Sequence, residues 1–477
     1  MSDSLKKNTI SSLVWNMTDK VGFQVVAFFV GVFTARMLSP RDFGLIGALS
    51  IFALLSTLLI ESGFSSAMIR RKKNRGAEYS AVFFVNVALS VFFYAILFLC
   101  APLIADYFGM PELRTLSRLL FLSILANSFG IVPNIILTIS LSFKKITIAN
   151  ISSIIVSSVV TVLLVLFGFG YWALAWQLVI QPVIRSGLLW IFSKWTISKP
   201  DFKVIQEVFS FSFFLLITTL LNAVVKNLYN VIIGKRYSAE DLGYYYQANK
   251  FQQIPSSVIC SAITGVSYPV LAQLNDQKER QIAYFQKIIR ITAFLIFPIM
   301  MILFSMLDNL VVIVLTEKWL PAMPYFKILT ISAIIYPLHT LNLNILIVRG
   351  FSKIYFRLEL FRHILCIVFL VLFSSSIEMM LAGYSLASFI SYIADSIYVQ
   401  NKTGYKVFQQ AKDISPYLLI SLMIYPIAKG VEWLEMGSYF TVFIQLAAIS
   451  IFYIGTLKLL GSRILDDVLL LFKIGRK

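Results

Sequence analysis

Charge is scarce in this 477-residue chain. Only 13% of its residues are Asp, Glu, Lys or Arg, against about a quarter in an average soluble protein. Acids are the scarcer sign, with 23 Asp and Glu against 41 Lys and Arg. Cysteine is nearly absent: Cys100, Cys260 and Cys366 lie far apart inside apolar stretches, which excludes a metal-ligand pair or a disulfide framework and leaves them as small core residues. The two histidines, His339 and His363, are expected to be packed or capped within helices. There is no phosphate-binding glycine loop, no HExxH and no pair of carboxylates at a catalytic spacing. Nucleotide-driven and metallo-hydrolytic chemistry are therefore excluded, and no cofactor, metal or enzymatic activity is expected. A cleavable leader is not expected either, because the apolar run near Val25 is too long and no small-residue cleavage site follows it.

What the chain has instead is apolar length. Of its residues, 58% are hydrophobic, and they fall into fourteen stretches: 13–36, 43–68, 79–104, 115–140, 147–168, 171–193, 208–233, 242–271, 286–310, 325–348, 354–375, 378–399, 414–430 and 437–460. About 20 apolar residues suffice for a helix to cross a bilayer core roughly 30 Å thick. The spacing thus predicts an all-α integral membrane protein of about fourteen transmembrane helices. Core helices of a soluble protein would supply a few such runs, not fourteen.

The formal charge of +18 could point to nucleic acid, but its placement points to a membrane. Basic residues crowd into alternate loops: Lys6 and Lys7, the RRKKNR run from Arg70, Lys144 and Lys145, Lys194 to Lys203, Lys278 to Arg290, Arg349 to Arg357, Lys402 to Lys412, and the tail. The opposite loops hold far fewer: Arg36, Arg41, Arg114, Arg118, Lys235, Arg236, Lys318 and Lys429. This is the positive-inside bias, and it predicts that both termini are cytoplasmic, as an even number of spans requires. The basic loops also suit anionic lipid headgroups, so membrane lipids are expected partners and nucleic acid is not.

The chain repeats itself. MLSPRDFG, from Met37, returns about 200 residues later as RYSAEDLG, from Arg236, aligning Ser39 with Ser238, Asp42 with Asp241 and Gly44 with Gly243. NIIL from Asn134 followed by FKKI from Phe143 is echoed by NILI from Asn344 followed by FSKI from Phe351. A unit of six spans keeps the same orientation, so the expectation is two parallel-related six-helix lobes plus two C-terminal helices. The divisions are 1–200 (spans 1–6), 201–400 (spans 7–12) and 401–477 (spans 13–14 and a cytoplasmic tail), with 194–203 as inter-lobe linker. The Ser and Asp of each repeat are expected to cap the first amides of spans 2 and 8.

Ionisable residues at membrane depth usually face an internal cavity. Here they are Lys20, Arg185, Lys226, Lys250, Lys327 and Arg362, with Asp19, Glu61, Asp308, Glu359 and Asp395. Lys327, Asp308 and Glu359, like Arg118, lie near span ends, where snorkelling accounts for them. Two patterns go further. Asn16, Lys20 and Gln24 recur at i, i+4 and i+8 in span 1; Asn222, Lys226 and Asn230 do the same in span 7. Span 8 adds Gln247, Asn249, Lys250, Gln252 and Gln253. These read as the walls of a hydrophilic cleft, the alternative being a self-satisfied polar network between helices. The cleft leans cationic through Lys20, Lys226, Lys250, Arg185 and Arg362, which suits an anionic group such as a diphosphate.

Six segments carry a family likeness: ARMLSPRDFGLIGA from Ala35, ESGFSSAMIRRK from Glu61, GFGYWALAWQ from Gly168, SAEDLGYYYQANKFQQIPSS from Ser238, EKWLPAMPYFKIL from Glu317 and YPLHTLNLNIL from Tyr336. Together they resemble the polysaccharide branch of the MOP exporter superfamily, the Wzx-type flippases of O-antigen and capsule synthesis. The resemblance implies a bacterial inner-membrane protein that turns an undecaprenyl-diphosphate-linked oligosaccharide from the cytoplasmic to the outer leaflet. A monovalent cation or proton, and polymerase and glycan-assembly proteins, are further expected partners, with the coupling ion itself left open by the sequence. The family often has Arg and Asp where this chain has Gln247 and Asn249; Lys250 lies in the same turn region. Lys20 and Lys250 are the nearest counterparts of cationic groups used by distant lipid II flippases. The alternatives are a drug or cation antiporter of the same superfamily, whose cleft should be acid-dominated, and a membrane glycosyltransferase or polymerase, which needs a catalytic acid and large outer loops.

Overall fold

The computed structural model describes residues 3–61, 64–70, 76–434, 437–461 and 464–465. The basic run 71–75 and the tail 466–477 lie outside the described residues, as does the side chain of Asn16. Among the described residues the regular secondary structure is all helical: α1 (Asp3–Met37), α2 (Pro40–Glu61), α3 (Phe64–Arg70), α4 (Gly76–Phe108), α5 (Leu113–Leu120), α6 (Leu122–Ile139), α7 (Phe143–Leu166), α8 (Tyr171–Ser193), α9 (Lys203–Arg236), α10 (Ala239–Gln273), α11 (Lys278–Val314), α12 (Met323–Val348), α13 (Ser352–Leu372), α14 (Ile377–Thr403), α15 (Val407–Leu422), α16 (Ile424–Glu432) and α17 (Ser438–Leu459). The pairs α2/α3, α5/α6 and α15/α16 each occupy one apolar stretch of the sequence, so the helices make fourteen successive segments.

Among the described residues, twelve segments are long and apolar enough to cross a membrane. Of the other two, α9 and α13, the latter carries Arg357, Glu359 and Arg362 within its length. The protein is a multi-pass membrane protein. Helices are the expected outcome, because in hydrocarbon every backbone amide must be satisfied inside its own segment. Many hydroxyls follow the same rule. Thr34, Thr161, Thr292 and Ser391 each donate to a carbonyl four residues earlier, at 2.7–2.8 Å.

The chain packs as two compact units, residues 1–246 and 247–477, the boundary falling inside α10. In the first, α7 packs on α1 and α8, and α8 on α6. Ser186 Oγ donates to the carbonyl of Ala126 at 2.7 Å, where Gly130 leaves room for it. In the second unit α11 is central, packed against α12, α15, α16 and α17. Its Phe285, Phe294 and Met300 meet Tyr405, Tyr417 and Tyr453 in one buried core, and Tyr453 donates its hydroxyl to the carbonyl of Phe294 at 2.9 Å. The last two segments are thus part of this core.

Both repeated Ser-x-x-Asp motifs form the expected cap. Ser39 N and Oγ donate to Asp42 Oδ2 at 2.8 and 2.7 Å, and Ser238 N and Oγ to Asp241 Oδ2 at 3.2 and 2.7 Å. The Asp amides donate back to the serine hydroxyls, at 3.4 and 3.0 Å. Each pair satisfies exposed amides and sets a carboxylate at the positive end of its helix.

Candidate functional site

The polar residues of the first unit gather where α1, α7, α8 and the end of α2 meet. Asn150, on α7, donates through Nδ2 to both carboxylate oxygens of Asp19, at 3.1 and 2.9 Å. Its Oδ1 accepts from Arg185 Nε at 2.6 Å. Asn150 is therefore a bridge between a carboxylate and a guanidinium, using its donor for one and its acceptor for the other. Glu61 lies within electrostatic range of the same guanidinium, and Lys20 within range of Asp19. Lys20 itself is exposed, and Gln24 half-buried, one turn further along α1. The structure gives Asp19 to Asn150, a residue the sequence pattern did not single out because it stands on another helix.

The second stripe divides. Lys226 is exposed and Asn222 half-buried, whereas Asn230 is buried and donates to Ser50 Oγ at 3.3 Å. Asn230 thus helps to fasten α9 to α2. On α10, Lys250 is exposed and Asn249 accepts from Gln253 Nε2 at 2.8 Å. Gln247 is fully buried, and neither side-chain polar atom has a hydrogen-bond partner among the described residues.

Arg362 belongs to a buried cluster of the second unit. Its Nη2 pairs with Glu359 Oε2 at 2.9 Å, one turn away on α13. Glu359 Oε1 is 3.3 Å from His339 Nε2, on α12, and His339 Nδ1 is 2.5 Å from Asp395 Oδ2, on α14. His339 and Asp395 are 6% and 1% exposed, so this is interior, not rim. Two sequence readings are corrected here. Glu359 does not reach for an interface; it is 8% exposed and held by His339 and Arg362. His339 is not a merely packed histidine, for it stands between two carboxylates. Lys327 and Asp308, both read as snorkelling, pair with each other at 2.9 Å, and Asp308 also meets Lys429 at 3.3 Å.

Residues 33–324 match the family described as polysaccharide biosynthesis protein. The chain belongs to that family. Its members' names fit the resemblance read from the sequence. The chain is 28% identical over 338 residues to the succinoglycan biosynthesis transport protein ExoT of Rhizobium meliloti, covering 70% of this chain and 68% of that one. It is 23% identical over 376 residues to the lipopolysaccharide biosynthesis protein WzxC of Escherichia coli, covering 77% and 76%. Among solved structures it resembles the lipid II flippase MurJ in an inward closed conformation, with a TM-score of 0.78 at 14% identity over 94% of this chain and 99% of that one. A multidrug MATE transporter of the MOP superfamily follows at a TM-score of 0.62 and 15% identity, covering 81% and 94%. The likeness to solved structures establishes the fold, the all-α membrane architecture those proteins share, and the family match makes the chain a polysaccharide biosynthesis protein.

Proposed function

We propose that this family member is a flippase for polysaccharide precursors, moving undecaprenyl-diphosphate-linked oligosaccharide units from the cytoplasmic to the outer leaflet of the bacterial inner membrane. The observation that carries the reading is the exposure of three lysines at membrane depth. Arg185 and Arg362 are more buried, beside Asn150 and Glu359. Lys20, Lys226 and Lys250 keep exposed side chains on α1, α9 and α10, each beside the polar residues of its own helix. Exposed amines at membrane depth suit a diphosphate that must travel, since each contact is strong but singly replaceable. In this reading the three lysines line the substrate path, Gln24, Asn222 and Asn249 offer hydrogen bonds to the sugars, and alternating access exposes the path to one leaflet at a time. The protein is a carrier rather than an enzyme, working beside the polymerase and glycan-assembly proteins that use its product. An acid-dominated path, as a cation antiporter would need, is not what these residues supply.

The test is charge retention. Lys→Gln at 20, 226 or 250 keeps length and polarity; Lys→Arg keeps charge. A charge-assisted hydrogen bond contributes roughly 1.5–3 kcal/mol, so each Gln variant should weaken substrate engagement by about 10- to 150-fold. Surface glycan, measured at equal protein abundance, should fall in the Gln variants and persist in the Arg variants. Normal glycan in all three Gln variants would overturn the cationic-path reading.

A further inference from the structure

Both ring nitrogens of His339 face carboxylate oxygens, Nδ1 toward Asp395 Oδ2 at 2.5 Å and Nε2 toward Glu359 Oε1 at 3.3 Å. A neutral imidazole has one N–H, so with both carboxylates ionised one nitrogen would turn its lone pair onto an anionic oxygen. Satisfying both contacts takes two protons among the three groups. The imidazole is then doubly protonated, or one carboxyl donates to it.

The surroundings say where the second proton resides. Arg362 pairs with Glu359 at 2.9 Å and keeps that carboxylate ionised. His363 Nε2 stands 3.6 Å from the other face of Glu359. Tyr336 on α12, Tyr355 and Cys366 on α13, and Tyr384 on α14 complete the surroundings of the Glu359–Arg362 pair; Tyr392 lies beside Asp395. None of these phenols or thiols carries a fixed charge near neutral pH. The fixed charges are one guanidinium against two carboxylates, so one added proton makes the cluster neutral and its loss leaves it at minus one. A net buried charge is strongly disfavoured, and Arg362 inside the cluster opposes a metal ion in the same role.

We propose that His339 and Asp395 share one exchangeable proton, forming a proton-binding site in which Glu359 and Arg362 are positioning residues and whose loading holds α12 against α14. Release of the proton would set two unscreened acceptors against each other across that contact and loosen it. This inference needs no substrate and stands apart from the flippase reading. A coupling of that proton to export would in addition require the reading to hold.

The chain has only two histidines, so His363→Gln leaves His339 as the sole imidazole. Ring-15N-histidine spectra of the purified full-length protein should show either two N–H groups on His339, or one together with a protonated-carboxyl infrared band that Asp395→Asn removes. Raising the pH should discharge the site, and the melting temperature should fall through the same interval. The sign follows from the loaded form: stability is present while the proton is bound and is lost as pH rises through its release. His339→Gln with Asp395→Asn keeps hydrogen-bonding groups without the proton and should abolish that pH dependence while still folding. A neutral His339 beside ionised carboxyls at every pH from about 5 to 9, or an unchanged pH dependence in the double variant, would overturn the proposal. Failure of the flippase reading would look different: deleting the gene would leave surface glycan unchanged, with these spectra unaffected.

Discussion

Gly44 and Gly243, equivalent positions of the internal repeat, meet backbone to backbone. A Cβ on Gly44 would lie 1.8 Å from the carbonyl oxygen of Ala239, and one on Gly243 would lie 1.8 Å from that of Pro40. Each would also stand 3.1 Å from the other glycine's amide nitrogen. The contact is reciprocal, with the first turns of α2 and α10 crossing at the two residues that have no side chain. Here glycine is needed for close approach, not for an unusual backbone angle.

Alanine at either position must push two helices apart. Overpacking of this kind costs about 1–3 kcal/mol. Gly44→Ala and Gly243→Ala should each lower the melting temperature in detergent by several degrees. Gly187→Ala is the control: nothing lies within 4 Å of its added Cβ. By removing backbone freedom from the unfolded chain it should be neutral or stabilising by about 0.4–1 kcal/mol. Equal effects at all three positions would remove the argument from contact.

Asn150 should behave as a keystone out of proportion to its neutral side chain. Asn150→Leu keeps volume but leaves the Asp19 carboxylate and Arg185 Nε each short of a partner. An unsatisfied buried polar group costs roughly 1–3 kcal/mol, more when charged. The variant should melt lower than wild type, and adding Asp19→Leu should recover part of the loss. A double-mutant cycle with no coupling would show that the bridge contributes nothing.

The parts of the fold that local pattern dictates were legible. Fourteen apolar runs become fourteen helical segments because no other backbone satisfies itself in lipid. The Ser-x-x-Asp caps are visible because donor and acceptor stand three residues apart. Glu359 and Arg362 stand at an i, i+3 spacing within one helix, so their pairing could be read from the sequence. His339, Glu359 and Asp395 are separated by 20 and 56 residues and lie on three helices. Nothing in a single sequence says which helices adjoin, so neither that cluster nor the Asn150 bridge could be read beforehand. The only signal was the presence of each acid inside an apolar run.

The orientation rests on charge asymmetry and has a direct check. A reporter active only outside the cytoplasm should be silent when fused at Lys477 and active when inserted near Lys318. The reverse pattern would invert the topology and, with it, the direction of transport.

Lys20 and Lys226 are expected to share a water-filled path. Both are exposed, and each sits at the middle of an i, i+4, i+8 polar row on its helix. Exposure alone does not separate water from lipid, since a side chain on the bilayer face is just as open. Chemistry does: a charged thiol reagent is attacked by the thiolate, which forms in water and not in hydrocarbon. In a chain with Cys100, Cys260 and Cys366 replaced, cysteine at position 20 or 226 should react with such a reagent. Cysteine at Phe29, an exposed apolar residue of the same helix α1, should not. A position 20 cysteine as inert as one at Phe29 would place Lys20 against lipid, where its amine could only snorkel, and the path would have to be sought on other helices.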